Sequence, residues 1–268
     1  MYNKEEHYEI EKDLAEKLKC APRDQRLLLY TKVYDTMFEK VSCHPQLMQN
    51  DAASVLRENM SKKAFVSMFF DKDKNFIEFG AGDGSFSNFV SDEFKNVYAV
   101  DCSDVLNKIY ELKNNVKRIV QDCSDVLCLD EPVDVAFSAN LLEHLHPEDC
   151  TLHLKNVYEK LEAGGVYLVL VPNKCGGPND VSRDYDDFAT CFHLNECTSS
   201  EIMKLFFEAG FREVRLYLCV SYRTVRVSAP VVNIVERLLL MLPHNLRKRL
   251  MKTVLFRPLN QLRLIALK

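Results

Sequence analysis

The stretch Phe76-Ile77-Glu78-Phe79-Gly80-Ala81-Gly82-Asp83-Gly84 constrains the chain more than any other. Residues that suit a buried strand run directly into three glycines at alternate positions. A backbone without Cβ atoms turns tightly there and lets a ligand come close. In an open parallel sheet, ligands sit at the carboxyl ends of the strands. Gly80, Gly82 and Gly84, with Glu78 and Ala81, therefore mark a candidate binding turn. A tight turn of purely structural value satisfies the same pattern.

Short apolar runs follow, alternating with helical stretches. The segments 75–80, 97–101, 116–122, 133–140, 166–173, 211–220 and 262–268 read as strands. Helices are expected at about 85–93, over CSDVLNKIYELK (102–113), over HPEDCTLHLKNVYEKLEAGG (146–165) and over TSSEIMKLFFEAG (198–210). Gly164 and Gly165 supply a stop signal for the third of these. Thr198 and Glu201 have capping-box spacing at the start of the fourth. Residues 1–70 read as helical, with Asp51 as an N-cap. The alternation predicts an α/β fold, a Rossmann-like seven-stranded, mostly parallel sheet with helices on both faces. A helical insert of about 228–257 precedes the last strand.

The second strand ends in Asp101, nineteen residues beyond Gly82. An acid at that place can accept hydrogen bonds from both hydroxyls of a ribose. The third strand ends in Asp122, which a solvated turn also explains; Asp125 is the alternative. The nicotinamide fingerprint GxGxxG fails because its third glycine falls on Ser85.

The arrangement ExGxGxG after strand one, with acids closing strands two and three, resembles the class I S-adenosylmethionine (SAM)-dependent methyltransferases. DVAFSANLLEHL (134–145) and GGVYLVLVPN (164–173) resemble the corresponding family segments. HLNECTSSEIMKLFFEAGF (193–211) is similar to the region after the acceptor loop in the type 11/12 group. That group includes many small-molecule and glycan O-methyltransferases. The resemblance covers about 72–220 and the terminal strand.

It implies that Gly80, Gly82 and Gly84 line the methionine part of SAM, with Ala81 between them and Glu78 at the amino group. Asp101 would bind the ribose hydroxyls and Cys102 would pack beside the adenine. Asp122 would bind the adenine amino group, with Cys123 giving a backbone contact. Asn140 and Leu141 would face the sulfonium and the acceptor. It also implies that residues 1–70 form a helical lid over the methyltransferase domain at 71–268. The alternatives are a nucleotide- or NAD-dependent Rossmann oxidoreductase and a non-catalytic, methyltransferase-like scaffold subunit.

Methyl transfer to a hydroxyl benefits from a base near neutral pKa, and histidine is the usual choice. His193 and His144 are the candidates. The alternative role for His144 is to order the SAM loop, and that for His193 is to bond the loop backbone. His146 and His153 read as exposed helix residues. Asp180, Arg183, Tyr185, Asp186 and Asp187 form a polar cluster that suits either a hydroxylated acceptor or a solvated surface.

Net charge is −4, which gives no support for a nucleic-acid partner. The expected acceptor is a small molecule or glycan. Ten cysteines contain no CxxC pair and no zinc spacing, so reduced thiols, no metal and a cytoplasmic location are expected. The start lacks a secretory layout and no apolar run is long enough to span a membrane. The insert is apolar in its first half and basic in its second. It suits packing on the core or on a second subunit, or contact with a membrane surface or lipid-linked acceptor.

Overall fold

The computed structural model describes residues 3–44, 46–48, 51–108, 111–123, 131–220 and 223–268. Helices α1 (Lys4–Cys20), α2 (Arg23–Lys40) and α3 (Ala52–Val66) come first. Asp51 caps α3 by accepting from the Ser54 N–H at 2.9 Å. Strands β1 (Asp71–Phe79), β2 (Phe94–Asp101), β3 (Val116–Val120), β4 (Val133–Ala139) and β5 (Leu161–Pro172) follow. Helix α4 (Ser85–Val90) lies between β1 and β2, and α5 (Pro147–Lys160) between β4 and β5. Then come α6 (Ser199–Glu208), β6 (Glu213–Val220), β7 (Arg223–Arg226), α7 (Ala229–Leu240), α8 (His244–Leu250) and β8 (Gln261–Leu267).

The strands form one sheet in the order β3-β2-β1-β4-β5-β8-β6-β7. Pairs from β3 through β5 are parallel. Strand β8 is antiparallel to both β5 and β6. Alternate residues of the central strands enter two separate cores, as expected of a sheet buried on both faces. Phe76, Val135 and Leu168 join Phe65 of α3 and Phe86 of α4 on one face. Ile77, Ala136 and Tyr167 join Leu14 of α1, Met37 of α2, Leu154 of α5 and Phe206 of α6 on the other.

Three expectations need correction. Among the described residues the sheet has eight strands, not seven. The extra one, Arg-Thr-Val-Arg, is a short, mostly exposed edge strand with no apolar run to announce it.

The helix expected over 102–113 is, in its described part, a single 3-10 turn at Val105–Lys108; Ile109 and Tyr110 lie outside the described residues. Asp101 accepts the Ser103 N–H at 3.0 Å, and the Ser103 hydroxyl accepts the Val105 N–H at 3.2 Å. Such local side-chain bonds compete with a helix start.

Helix α5 stops at Lys160, ahead of the glycine pair, because Leu161 already pairs with Val133 in β5. Gly165 instead serves the strand entry, where a Cβ would stand 2.9 Å from the Glu162 carbonyl oxygen.

Candidate active site

Where β1, β2 and β4 end, the chain encloses a cavity of about 750 Å³. That is in the range of small-molecule sites, roughly 300–1,000 Å³. Glu78, Gly80, Ala81, Gly82, Asp101, Cys102, Asp122, Cys123, Asn140, Leu141, His144 and His193 all line it. Gly84 does not; it is the N-cap of α4, behind the turn. Asp125 lies outside the described residues.

The glycines of the turn are required by backbone geometry. Gly80 has φ +68°, and a Cβ there would stand 3.3 Å from the Leu141 side chain. Gly82 has φ +54°, a region that favours glycine. Among the described residues, a Cβ at Gly82 would find only Leu106, 4.0 Å away, so packing against them does not exclude it. The Gly82 N–H donates to Asp101 Oδ2 at 2.8 Å, and the Ala81 N–H donates to the Val100 carbonyl at 3.0 Å. The turn is thus tied to the end of β2.

Glu78 is 3% exposed and accepts a hydrogen bond from the Ser87 hydroxyl at 2.6 Å. Burial raises its carboxyl to about 7, against the pull of Lys62 and Ser87. Burial also pushes the Asp101 carboxyl up, opposed by the N–H groups of Ser103 and Gly82. The Cys102 and Cys123 thiols are held well above their usual range by burial, so both stay neutral.

His153 is a correction. It is fully buried, and it fixes the end of β3 from behind. Its Nδ1 donates to the Cys123 carbonyl, so Nε2 accepts from the Tyr167 hydroxyl at 2.8 Å. Burial lowers its pKa to about 4, which keeps this neutral tautomer. His146 is half-buried and caps α5, its Nδ1 accepting from the Glu148 N–H.

The tip of β4 is held in a left-handed conformation at Asn140, φ +54°. Asparagine is among the residues most tolerant of that region. The tip carries His144 to the cavity lining, with Glu143 buried next to it. Burial lowers the His144 pKa to about 3, and its ring is hydrogen-bonded to the Phe192 backbone. His193 stands edge-to-face on it, ring centroids 4.8 Å apart. His193 Nδ1 is 2.8 Å from Glu196 Oε1. Burial depresses the His193 pKa, but the Glu196 bond and the charges of Glu143, Glu196 and Asp180 outweigh it, leaving it raised.

Helices α1 to α3 supply another part of the lining, including His7, Glu11, Tyr34 and Asn59. Helix α2 is locked to α5 by Arg26, which pairs with buried Asp149 at 2.7 Å. The loop after β5 is fastened to α1. Tyr185 stacks on Tyr8 with centroids 4.1 Å apart, and the Tyr8 hydroxyl donates to Asp186 at 2.9 Å. The expected polar cluster therefore divides. Asp180 and Arg183 line the cavity, Tyr185 and Asp186 hold the loop, and the Asp187 side chain is exposed.

Sequence reasoning missed Glu143, Glu196 and the N-terminal lining residues. Glu143 stands next to His144, and Glu196 is three residues beyond His193. Both were findable as acids adjoining the candidate histidines. His7 and Glu11, at helical i,i+4 spacing, form a buried pair 2.8 Å apart.

The set fits SAM. A buried carboxyl poised near neutrality suits an amino group, backbone at Gly80 and Gly82 admits close approach, and Asp101 offers acceptors for hydroxyls. Residues 48–216 match the methyltransferase-domain family, and the chain belongs to it. SAM is its cofactor. A sequence search among curated proteins finds no match.

Among solved structures, human N-acetylserotonin methyltransferase in complex with SAM superposes with TM-score 0.57 at 14% identity. The match covers 98% of this chain and 66% of that one. A SAM-dependent methyltransferase of Archaeoglobus fulgidus gives 0.53 at 20% identity, covering 81% and 100%. One from Thermotoga maritima gives 0.54 at 15% identity, covering 89% and 96%. These likenesses show the fold. No helix among the described residues is long and apolar enough to cross a membrane.

Proposed function

We propose that the chain methylates a hydroxyl of a small molecule or glycan. SAM supplies an electrophilic methyl group on sulfur. Glu78 binds its amino group, and Gly80, Ala81 and Gly82 pass close to its methionine part. Asp101 accepts from the ribose hydroxyls, Cys102 and Cys123 flank the adenine, and Asp122 accepts from the adenine amino group. Asn140 and Leu141 border the reacting centre. Gly84 contributes only by starting α4. Helices α1 to α3 close the cavity as a helical lid, with the domain at 71–268 beneath it.

The observation that carries the hydroxyl reading is His193, which lines the same cavity and is paired through Nδ1 with Glu196 behind it. Glu196 orients the imidazole so that Nε2 can take the acceptor proton. The acceptor oxygen bonds to the methyl carbon as the carbon–sulfur bond breaks and its electron pair stays on sulfur. His144, held neutral by burial, is the weaker proton acceptor. An acceptor screen read by S-adenosylhomocysteine release tests this. Turnover on alcohols or sugars supports it; turnover confined to amines contradicts it.

One surface favours a lipid-bearing acceptor. Val231, Ile234, Leu238 and Met241 of the insert lie at helical spacing and are 58–79% exposed. Arg247, Lys248 and Arg249 follow on α8, and Lys248 bonds the Arg183 carbonyl on the acceptor loop. An apolar stripe beside basic side chains suits an anionic membrane surface. Co-sedimentation with phosphatidylserine vesicles, lost in Leu238→Glu, is expected. Equal behaviour with neutral and anionic vesicles sinks this part.

A further inference from the structure

The tip of β4 and the end of the acceptor loop bring three ligating groups together. One ligand atom from each of Glu143, His144 and His193 lies within 4.8 Å of the other two. Glu143 is 2% exposed, yet neither of its carboxylate oxygens has a hydrogen-bond partner among the described residues. The Nδ1 atom of His144 also lacks one. Buried polar atoms are costly to leave unpaired, so such a group calls for an explanation.

Each imidazole is already held by one nitrogen. The His144 ring bonds the Phe192 backbone, which leaves Nδ1 for a ligand. His193 Nδ1 is held by Glu196 at 2.8 Å, which leaves Nε2. Metal-binding histidines are oriented in this way, by a backbone carbonyl or a carboxylate on the second nitrogen. Another buried cluster, His7, Glu11 and His44, differs because its atoms are spent on one another and on the backbone. Glu11 Oε2 takes His7 Nε2, Glu11 Oε1 takes the Phe192 N–H, and His44 Nδ1 takes the Gln46 N–H.

We propose that Glu143, His144 and His193 form a site for one first-row divalent cation such as zinc, manganese or iron. Two imidazole nitrogens and one carboxylate oxygen suit these ions; magnesium and calcium prefer all-oxygen ligation. With bonds of about 2.0–2.1 Å, tetrahedral ligand atoms stand roughly 3.4 Å apart. Binding therefore draws the three side chains inward from their present spacing. The carboxylates of Glu196 and Asp180, which border His193, add negative charge around the dication.

The role of the cation in turnover rests on the hydroxyl reading above, whereas the site itself does not. A cation beside the acceptor lowers the pKa of its hydroxyl. The proton leaves to solvent, and the oxygen then takes the methyl group as the carbon–sulfur bond breaks. His193 serves as a ligand in this form and as the proton acceptor only when the cation is removed.

The test is a cobalt(II) titration of the chelator-stripped full chain, followed by the visible absorption of the bound ion. Saturation at one equivalent is expected, with Glu143→Gln abolishing the band. Glu196→Gln should weaken cobalt affinity by about 10- to 100-fold. SAM affinity by calorimetry, unchanged in both variants, serves as the control for folding. No band in the parent chain, or an identical band in Glu143→Gln, overturns the site. A chain that methylates an alcohol equally well after stripping keeps the hydroxyl reading and overturns the cation. A chain that binds cobalt but methylates only amines keeps the site and overturns the hydroxyl reading.

Discussion

The backbone N–H of Gly82 donates to the Asp101 carboxylate at 2.8 Å, so the glycine turn and the acid closing β2 form one unit. Asp101→Ala removes this tie together with the proposed acceptor of two ribose hydroxyls. Hydrogen bonds to a charged group are worth roughly 1.5–3 kcal/mol each. SAM affinity is expected to fall by about tenfold or more, measured by calorimetry on protein with an intact cooperative melt. Unchanged affinity would remove Asp101 from the site.

Glu78 gives the cofactor site a pH dependence. Burial holds its carboxyl at about 7, so it is largely protonated below that value and ionised above it. Only the ionised form pairs with an ammonium group. SAM affinity should therefore rise between about pH 6 and 8 and release protons on binding below neutrality. Glu78→Gln should bind more weakly and flatten the profile. A parent chain whose affinity is flat over that range contradicts the assignment.

Arg26 fixes α2, which carries Tyr30 and Tyr34 to the cavity. Its side chain is 3% exposed, and that of Asp149 is 0%. Arg26→Met leaves a buried carboxylate without its cation, which costs roughly 3–5 kcal/mol. A clear fall in the midpoint of denaturant unfolding is expected. A midpoint within error of the parent would show that α2 is held by other contacts.

The two histidines should separate kinetically in chelator-treated enzyme. His193→Ala is expected to lower kcat by about 100- to 10,000-fold while SAM affinity stays within about twofold. Its raised pKa means the free base gains as pH rises, so parent activity should climb with pH through the neutral range. His144 stays neutral throughout that range and should add nothing to the profile. His144→Ala is expected to disturb SAM binding and turnover together. Near-full kcat in both variants would leave proximity alone to carry the reaction.

Much of the cavity lining at the ends of β1 and β2 was legible because a tight turn and a strand-end acid demand particular residues. Positive φ at Gly80 and Gly82 restricts the side chain, and an acid at a strand end needs only one position to be right. Local codes also carried through, as in the Thr198–Glu201 capping box.

The rest of the cavity wall and its supports were less legible because tertiary contacts decide them. HPEDCTLHLKN reads as polar, yet His153 is buried through partners at Cys123 and Tyr167, far away in sequence. The strand Arg223–Arg226 has no hydrophobic signal, since pairing with β6 alone defines it. Tyr34 and Glu11 reach the cavity only because α1 and α2 pack on the sheet, which no local pattern specifies.

Calorimetric titration of the full chain and of Gly82→Val tests most directly whether SAM binds at the Gly80–Gly82 turn. A branched side chain at φ +54° is strained, and among the described residues only Leu106 would come within 4.0 Å of its Cβ. The parent chain should bind one equivalent of SAM. Gly82→Val should show no binding, with a melting temperature lowered much less than by a core lesion. Normal SAM binding by Gly82→Val, or none by the parent chain, would contradict the account.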